Sequence, residues 1–244
     1  MALPKIDVPV YELKLISTGK TVRFRPFTVK EEKLFLMANE TSEIDFIIKT
    51  IKQVINNCVL DDVNVDDLPV FDIENIFLNL RAKSIGEDVS LKYRCNNDVK
   101  DENGEEHKCG NLVQLDLNLL DIELPKLSKD VGKIMITDNL GLVMKYPTFD
   151  LVQKYQGKED TETLLSMIVS CVDYIFDEEQ IYYAKDTSQE EMVDFIENLQ
   201  SKDLEKIKAF FDNMPKISKD IEFKCKKCGY SENINLQGVQ SFFG

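Results

Sequence analysis

Near its C-terminus the chain reads Phe223-Lys224-Cys225-Lys226-Lys227-Cys228-Gly229-Tyr230. Two cysteines separated by two residues, with a glycine directly after the second, make the tight turn of a zinc knuckle. The spacing lets both thiolates reach one tetrahedral ion, and the glycine permits a positive φ where the chain reverses. Such a turn supplies only two ligands, whereas a structural zinc takes four. Tyr93-Arg94-Cys95 and Lys108-Cys109-Gly110 repeat the same grammar, with thirteen residues between the cysteines. The expectation is a single site made of Cys95, Cys109, Cys225 and Cys228, holding one structural zinc per chain.

The flanking residues support this. Val89, Leu91, Tyr93 and Cys95 alternate, as do Ile221, Phe223 and Cys225, so each cysteine pair follows a half-buried strand. Val113, Leu115, Leu117 and Leu119 mark one return strand, and Ile234 and Leu236 the other. Two hairpins tipped with cysteines resemble a zinc ribbon. The competing reading is two unrelated cysteine pairs, free or disulfide-bonded. A thioredoxin-like motif fits less well, because Cys225 does not open a helix after a buried strand. Cys58 and Cys171 fall on apolar helical faces and read as core residues. His107, the one histidine, stands two residues before Cys109. It offers a substitute ligand that four thiolates make unnecessary.

A chain of 244 residues can bury a real core, as one large domain or two small ones. Its formal net charge of −14 argues against nucleic acid as the main partner, since a phosphate-binding face needs clustered Lys and Arg. Lys224, Lys226 and Lys227 form such a cluster, but around a knuckle they serve to offset thiolate charge. No apolar run reaches membrane-spanning length, and the N-terminus lacks a signal-peptide core. Cysteines assigned to a metal and to helices fit folding in a reducing cytoplasm.

Along the chain, residues 1–9 carry Pro4 and Pro9 and read as an extended arm. Two alternating runs, residues 11–15 and 22–25, flank the turn Ser17-Thr18-Gly19-Lys20 and predict a β-hairpin ended by Pro26. A helix is expected over 29–39, with Glu31 and Glu32 where the helix dipole favours acids. Ile44, Ile47, Ile48, Ile51, Val54, Ile55 and Cys58 recur at helical spacing, with Thr41 or Ser42 as the cap. After an acidic loop at 61–67, Pro69 opens a further helix through Ile76, Phe77 and Leu80, which Gly86 stops.

After Leu119 the programme restarts. Residues 134–136 and 140–146 flank an Asp138-Asn139 turn, Pro147 takes the place of Pro26, and a short helix covers 149–155. A helix is expected over 163–176, carrying Leu165, Ile168, Val169, Val172 and Phe176. Ser188-Gln189-Glu190-Glu191 is a capping box that opens another, and a last helix covers 204–214. The order is hairpin, proline, helices and knuckle hairpin, twice over. Asn57-Cys58-Val59-Leu60-Asp61 and Ser170-Cys171-Val172-Asp173 match at the same stage of each half. We therefore expect an α+β fold of two pseudo-repeated lobes, 10–120 and 121–236, joined at the shared zinc-ribbon-like site. A tail, 237–244, follows. Its Phe242 and Phe243 either fold back on the core or dock into a partner, because exposed paired aromatics are costly unless covered.

Catalytic constellations are missing. With one histidine, a Ser-His-Asp or Cys-His arrangement has only His107 to use, beside an expected metal ligand. No phosphate-binding glycine loop, Walker-type lysine motif or H-E-x-x-H occurs. Four thiolates also leave no open position on a metal. An enzyme is not expected.

Leu3-Pro4-Lys5-Ile6, then Tyr11-Glu12-Leu13, Ser17-Thr18-Gly19-Lys20 and residues Phe24-Arg25-Pro26-Phe27-Thr28-Val29-Lys30-Glu31-Glu32-Lys33 carry a resemblance. With the C-terminal knuckle and the closing Gln240-Ser241-Phe242-Phe243, the sequence resembles baseplate hub proteins of T-even-like contractile-tailed bacteriophages. The similarity is most specific in the first forty and last twenty residues, and between them rests on element order. The resemblance implies a non-enzymatic structural component of the baseplate hub, located in the virion tail after assembly in the host cytoplasm. Its implied partners are other baseplate hub proteins and the tape-measure protein, with no nucleic acid, membrane or small-molecule substrate. Two alternatives stand beside it: a transient assembly chaperone for the hub or tape-measure protein, and a zinc-ribbon nucleic-acid-binding module.

Overall fold

The computed structural model describes residues 7–41, 43–125, 127, 132–155, 157 and 160–238. Tyr11–Lys14 (β1) and Thr21–Phe24 (β2) pair antiparallel, with Leu13 opposite Val22. Alternation puts Leu13, Val22 and Phe24 on the buried face. The turn holds Gly19 at φ 69°, a conformation that disfavours a side chain.

Helix α1 (Val29–Thr41) runs two residues beyond the expected end, so Thr41 closes it and does not cap the next helix. Thr41 Oγ1 donates to the Ala38 carbonyl at 2.8 Å. Helix α2 (Ile44–Cys58) starts from Glu43, which gives no side-chain cap. Its second half buries Val54, Ile55 and Cys58. Helix α3 (Val70–Ser84) buries residues nearly all round, from Phe71 to Ala82, as a helix enclosed by its neighbours must.

Two polar side chains of α3 are buried because they satisfy the β1–β2 hairpin. Asp72 accepts from the Ile16 and Ser17 N–H groups and from the Ser17 hydroxyl. Asn75 Nδ2 donates to the Lys14 carbonyl at 3.1 Å.

Glu31 is likewise buried. It accepts from Arg25 Nη2 at 3.0 Å, the Thr28 N–H at 2.8 Å and the Thr28 hydroxyl at 2.6 Å. Burial favours its neutral form, but Arg25 and Thr28 outweigh that and hold the carboxyl down at about 2. A carboxyl depressed in this way stabilises the fold above its ordinary value of 4.5 and loses the contribution as pH falls towards about 2. Glu31→Gln should therefore lower stability at neutral pH by roughly 2 kcal/mol and flatten the acid limb below pH ~5. Urea midpoints measured across that range check this. An unchanged acid limb would show the carboxyl to be unperturbed.

Residues 65, 71–125 and 216–238 fold with the N-terminal elements into one compact unit, and residues 66–70 and 132–215 into a second. In the first unit, Asp88–Arg94 (β3) pairs along its whole length with the later strand Leu112–Asn118. Between them Asp98–Lys100 (β4) and Glu106–Lys108 (β5) make a small hairpin where the sequence showed only a hydrophilic insert, and Leu112–Asn118 becomes β6.

The second unit starts with Lys133–Met135 (β7) and Gly141–Met144 (β8), followed by α4 (Phe149–Tyr155) and α5 (Thr161–Ser170). Here the expected helix over 163–176 is corrected. The helix stops at Ser170 with Cys171 as its C-cap, and Val172–Phe176 is a strand, β9. The reason is chemical: Val172, Tyr174, Ile175 and Phe176 are β-branched or aromatic and favour a pleated surface. β9 pairs with β8 on one side and with Ile181–Tyr183 (β10) on the other, giving an antiparallel sheet ordered β10-β9-β8-β7. Helices α6 (Gln189–Glu197) and α7 (Ser201–Asp212) follow. The Ser188–Glu191 capping box at α6 is complete in both directions. Leu142, Ile168, Val172, Met192, Ile196, Ile207 and Phe210 form this unit's core. Each fully buried apolar side chain contributes about 2 kcal/mol, more than an exposed ion pair.

Candidate metal centre

The last strands, Ser218–Lys224 (β11) and Ser231–Gln237 (β12), form the second cysteine hairpin. Phe223 and Leu236 turn inward and share one core with Val89, Leu91, Leu115 and Leu117 of the β3–β6 hairpin and with Leu78 and Ala82 of α3. That packing faces the two hairpin tips towards each other inside the first unit.

All four sulfurs, of Cys95, Cys109, Cys225 and Cys228, lie within 4.8 Å of one another. Cys95 Sγ is 3.6 Å from Cys228 Sγ, and Cys109 Sγ is 3.8 Å from Cys225 Sγ. A tetrahedral ion with metal–sulfur bonds near ~2.3 Å sets its sulfurs about 3.8 Å apart, whereas a disulfide needs about 2 Å. The set fits an ion and is not disulfide-bonded. The expected ligands are thus brought together by residues more than a hundred positions apart. His107 is not among them: it is exposed on β5, opposite Val99.

The two tips are built alike despite the insert. In the second, the Cys225 N–H donates to the Tyr230 carbonyl at 2.8 Å and Gly229 N–H to the Cys225 carbonyl at 2.9 Å. In the first, Cys95 N–H donates to Asn111 at 2.8 Å and Gly110 N–H to the Cys95 carbonyl at 3.0 Å. Gly110 and Gly229 take φ of 65° and 76°, as the glycine after each cysteine requires. The insert leaves and re-enters through one further bond, Cys109 N–H to Asn97 carbonyl at 2.8 Å. The knuckle therefore closes across the base of the β4–β5 hairpin.

Donors surround the sulfurs. The Cys228 N–H, then that of Lys227, the Cys228 thiol and the Asn111 amide, stabilise the Cys225 thiolate against desolvation and pull its pKa down to about 6. Burial and the facing thiols push Cys95 up to about 12. Sequence reasoning missed two side chains here. Asn111 Nδ2 reaches Cys225 Sγ at 3.5 Å and Asn97 Nδ2 reaches Cys228 Sγ at 3.8 Å, each crossing from the first hairpin to the second. Both stand two residues after a cysteine, the one signal by which they could have been found. Cys58 and Cys171 lie elsewhere, fully buried, with burial pushing them up to about 11 and about 12. They are inert core thiols, as expected, although Cys171 caps α5 and does not lie on a longer helix.

The family described as T4 bacteriophage base plate protein matches residues 8–244, nearly the whole chain. This chain belongs to that family. A relative, the baseplate hub assembly protein gp26 of Enterobacteria phage T4, is 26% identical over 239 residues, covering 96% of this chain and 99% of the relative. No solved structure matches. The match to this baseplate family starts at residue 8, so it covers the similarities noted from Tyr11 onwards and leaves out Leu3 to Ile6. No helix among the described residues is long and apolar enough to cross a membrane.

Proposed function

We propose that this baseplate-family chain is a non-enzymatic structural component of a phage contractile-tail baseplate hub, contacting other hub proteins in the virion tail. The observation that carries the reading is its correspondence, over 99% of the relative's length, with a protein named for baseplate hub assembly. The chemistry agrees: of the four cysteines Cys95, Cys109 and Cys225 are buried and Cys228 half-buried, and the one histidine sits on an exposed hairpin. Within this reading the four thiols hold one structural zinc. It ties 225 and 228 to 95 and 109 inside the first compact unit, and so fixes the C-terminal hairpin to the middle of the chain.

The reading also keeps the chain as a duplication of 10–120 and 121–236. Support comes from a matched pair of bonds. At the end of β2, Phe24 bridges Val59 and the Arg25 N–H donates to the Cys58 carbonyl at 2.9 Å. At the end of β8, Met144 pairs with Val172 and the Lys145 N–H donates to the Cys171 carbonyl at 2.7 Å. In each half a hairpin's second strand meets a buried cysteine at a helix end. Phe242 and Phe243 lie outside the described residues. They remain, in this proposal, the tail that engages a neighbouring hub protein, with the tape-measure protein as a further partner.

Quantitative mass spectrometry of purified particles tests the role. A fixed copy number in finished tails is the expected result. Presence in unfinished hubs and loss from finished particles would make the chain an assembly factor instead, the role in the relative's name.

A further inference from the structure

The sheet of the second unit has two edges, and they are treated differently. At the β7 edge, Lys206 Nζ donates to the Met135 carbonyl at 2.7 Å, placing a charge where a further strand would pair. The β10 edge is Ile181-Tyr182-Tyr183, and these are 50%, 40% and 45% exposed. Among the described residues no strand pairs with this edge, and its one blunting contact is the Thr187 hydroxyl donating to the Tyr183 carbonyl at 3.0 Å. Three large apolar residues there form a surface that proteins ordinarily blunt or cover.

The outward face beside that edge is aromatic where an antiparallel sheet usually presents polar residues. Ile181 stands opposite Phe176 and Tyr183 opposite Tyr174. The Tyr183 and Tyr174 rings meet edge-on at 5.8 Å. Phe176 lies across the neighbouring strand, so closely that a Cβ on Gly141 would come within 2.5 Å of its ring. The edge is also rigid before any partner arrives. Asp177 accepts from the Glu179 and Gln180 N–H groups and from the Tyr182 hydroxyl at 2.9 Å, which fixes the β9–β10 turn.

Charge selects the occupant. Glu178 and Glu179 stand exposed at the turn, beside Asp177, on a chain of net charge −14. A second copy would bring the same acidic turn and the same net charge against it. The aromatic faces already hold cations, Lys133 over Phe176 at 5.1 Å and Lys185 over Tyr183 at 5.4 Å. Those two ring faces are taken, so the acidic turn of Asp177, Glu178 and Glu179 is what a partner's guanidinium or ammonium meets. We propose that the β10 edge with its aromatic face binds an extended, Lys- or Arg-bearing segment of another protein by strand addition. The added strand pairs with the Ile181 backbone and the Tyr183 N–H of β10, since the Tyr183 carbonyl is held by Thr187. Its apolar side chains cover Ile181 and Tyr183, and its cations meet Glu178 and Glu179. The hub reading enters only in saying where that partner is found.

The test places a photo-crosslinking p-benzoylphenylalanine at Tyr183 of the full chain during tail assembly and maps the joined peptide by mass spectrometry. The expected product is a β-strand segment of net positive charge from another protein. Glu178→Lys with Glu179→Lys should reduce the yield about tenfold, corresponding to about 1.4 kcal/mol. Ile181→Asp should abolish it, with an unchanged melting temperature showing the sheet intact. A crosslink to a second copy, to an acidic segment or to nucleic acid overturns the proposal, as does no crosslink or a yield insensitive to the charge reversal. A basic strand from a protein outside the baseplate would uphold the edge and count against the hub role, so the two readings fail separately.

Discussion

Cys225→Ser should abolish metal retention and loosen residues 218–237 against the middle of the chain without detaching them. This is the largest effect expected. The purified protein should carry about one zinc per chain by elemental analysis, and the variant less than a tenth of that. Serine keeps the shape of the side chain but loses the soft, readily ionised sulfur that the Cys228 and Lys227 N–H groups support. Metal binding can contribute on the order of 10 kcal/mol to folding in small zinc peptides. Here the effect is confined, because Phe223, Ile217 and Leu236 still share a core with the β3–β6 hairpin. Hydrogen exchange should therefore rise in β11 and β12 while the second unit's helices keep their protection. Asn111→Ala should weaken retention by about 10- to 100-fold without removing the site, as loss of a group that orients a ligand does. Cys171→Ala should leave the zinc content unchanged. Full zinc content in Cys225→Ser, or a Cys95–Cys228 disulfide in the freshly purified protein, would sink the metal reading.

The second large effect lies at α3. Asp72→Ala should cost about 3 kcal/mol, read as a lowered urea midpoint with unchanged slope. The carboxyl is fully buried and serves the Ile16 and Ser17 N–H groups together with the Ser17 hydroxyl. Removing it strands three donors at once. Asp72→Asn keeps one acceptor oxygen and should lose only about 1 kcal/mol. The pH dependence has the opposite sign to that of Glu31. Burial raises the Asp72 pKa despite its bonds, so the folded state holds this proton more tightly than the unfolded one. Its contribution is complete below the ordinary value of 3.8 and is lost as pH rises through the raised value. A change below about 0.5 kcal/mol in Asp72→Ala would show that water replaces the carboxyl.

The contrast between what could and could not be foreseen is physical. β3, β6, β11 and β12 were legible because each has one face on the core, and alternation follows from that. The α6 start was legible because Ser188 and Glu191 carry their hydrogen bonds within four residues. β9 was not, since Val172 and Phe176 also continue the helical spacing of Leu165, Ile168 and Val169. What decides between the two is pairing with β8 and β10, which no local period records. The β4–β5 hairpin was hidden for another reason. Its strands are mostly exposed and polar, held by cross-strand pairs such as Asp98–Lys108 at 2.8 Å, and leave no apolar pattern. At the cysteine cluster, thiol spacing pointed to the ligands, whereas the amides of Asn97 and Asn111 matter only once a second hairpin faces them.

The bond from Gly110 to Cys95 seals the first tip independently of everything that loops out between Asn97 and Cys109. The length of that excursion is thereby uncoupled from the geometry of the sulfurs. The same independence makes it a natural port for a fluorescent or affinity label, inserted at the Asn103-Gly104 turn, that would report on the protein during tail assembly with its sulfur cluster undisturbed.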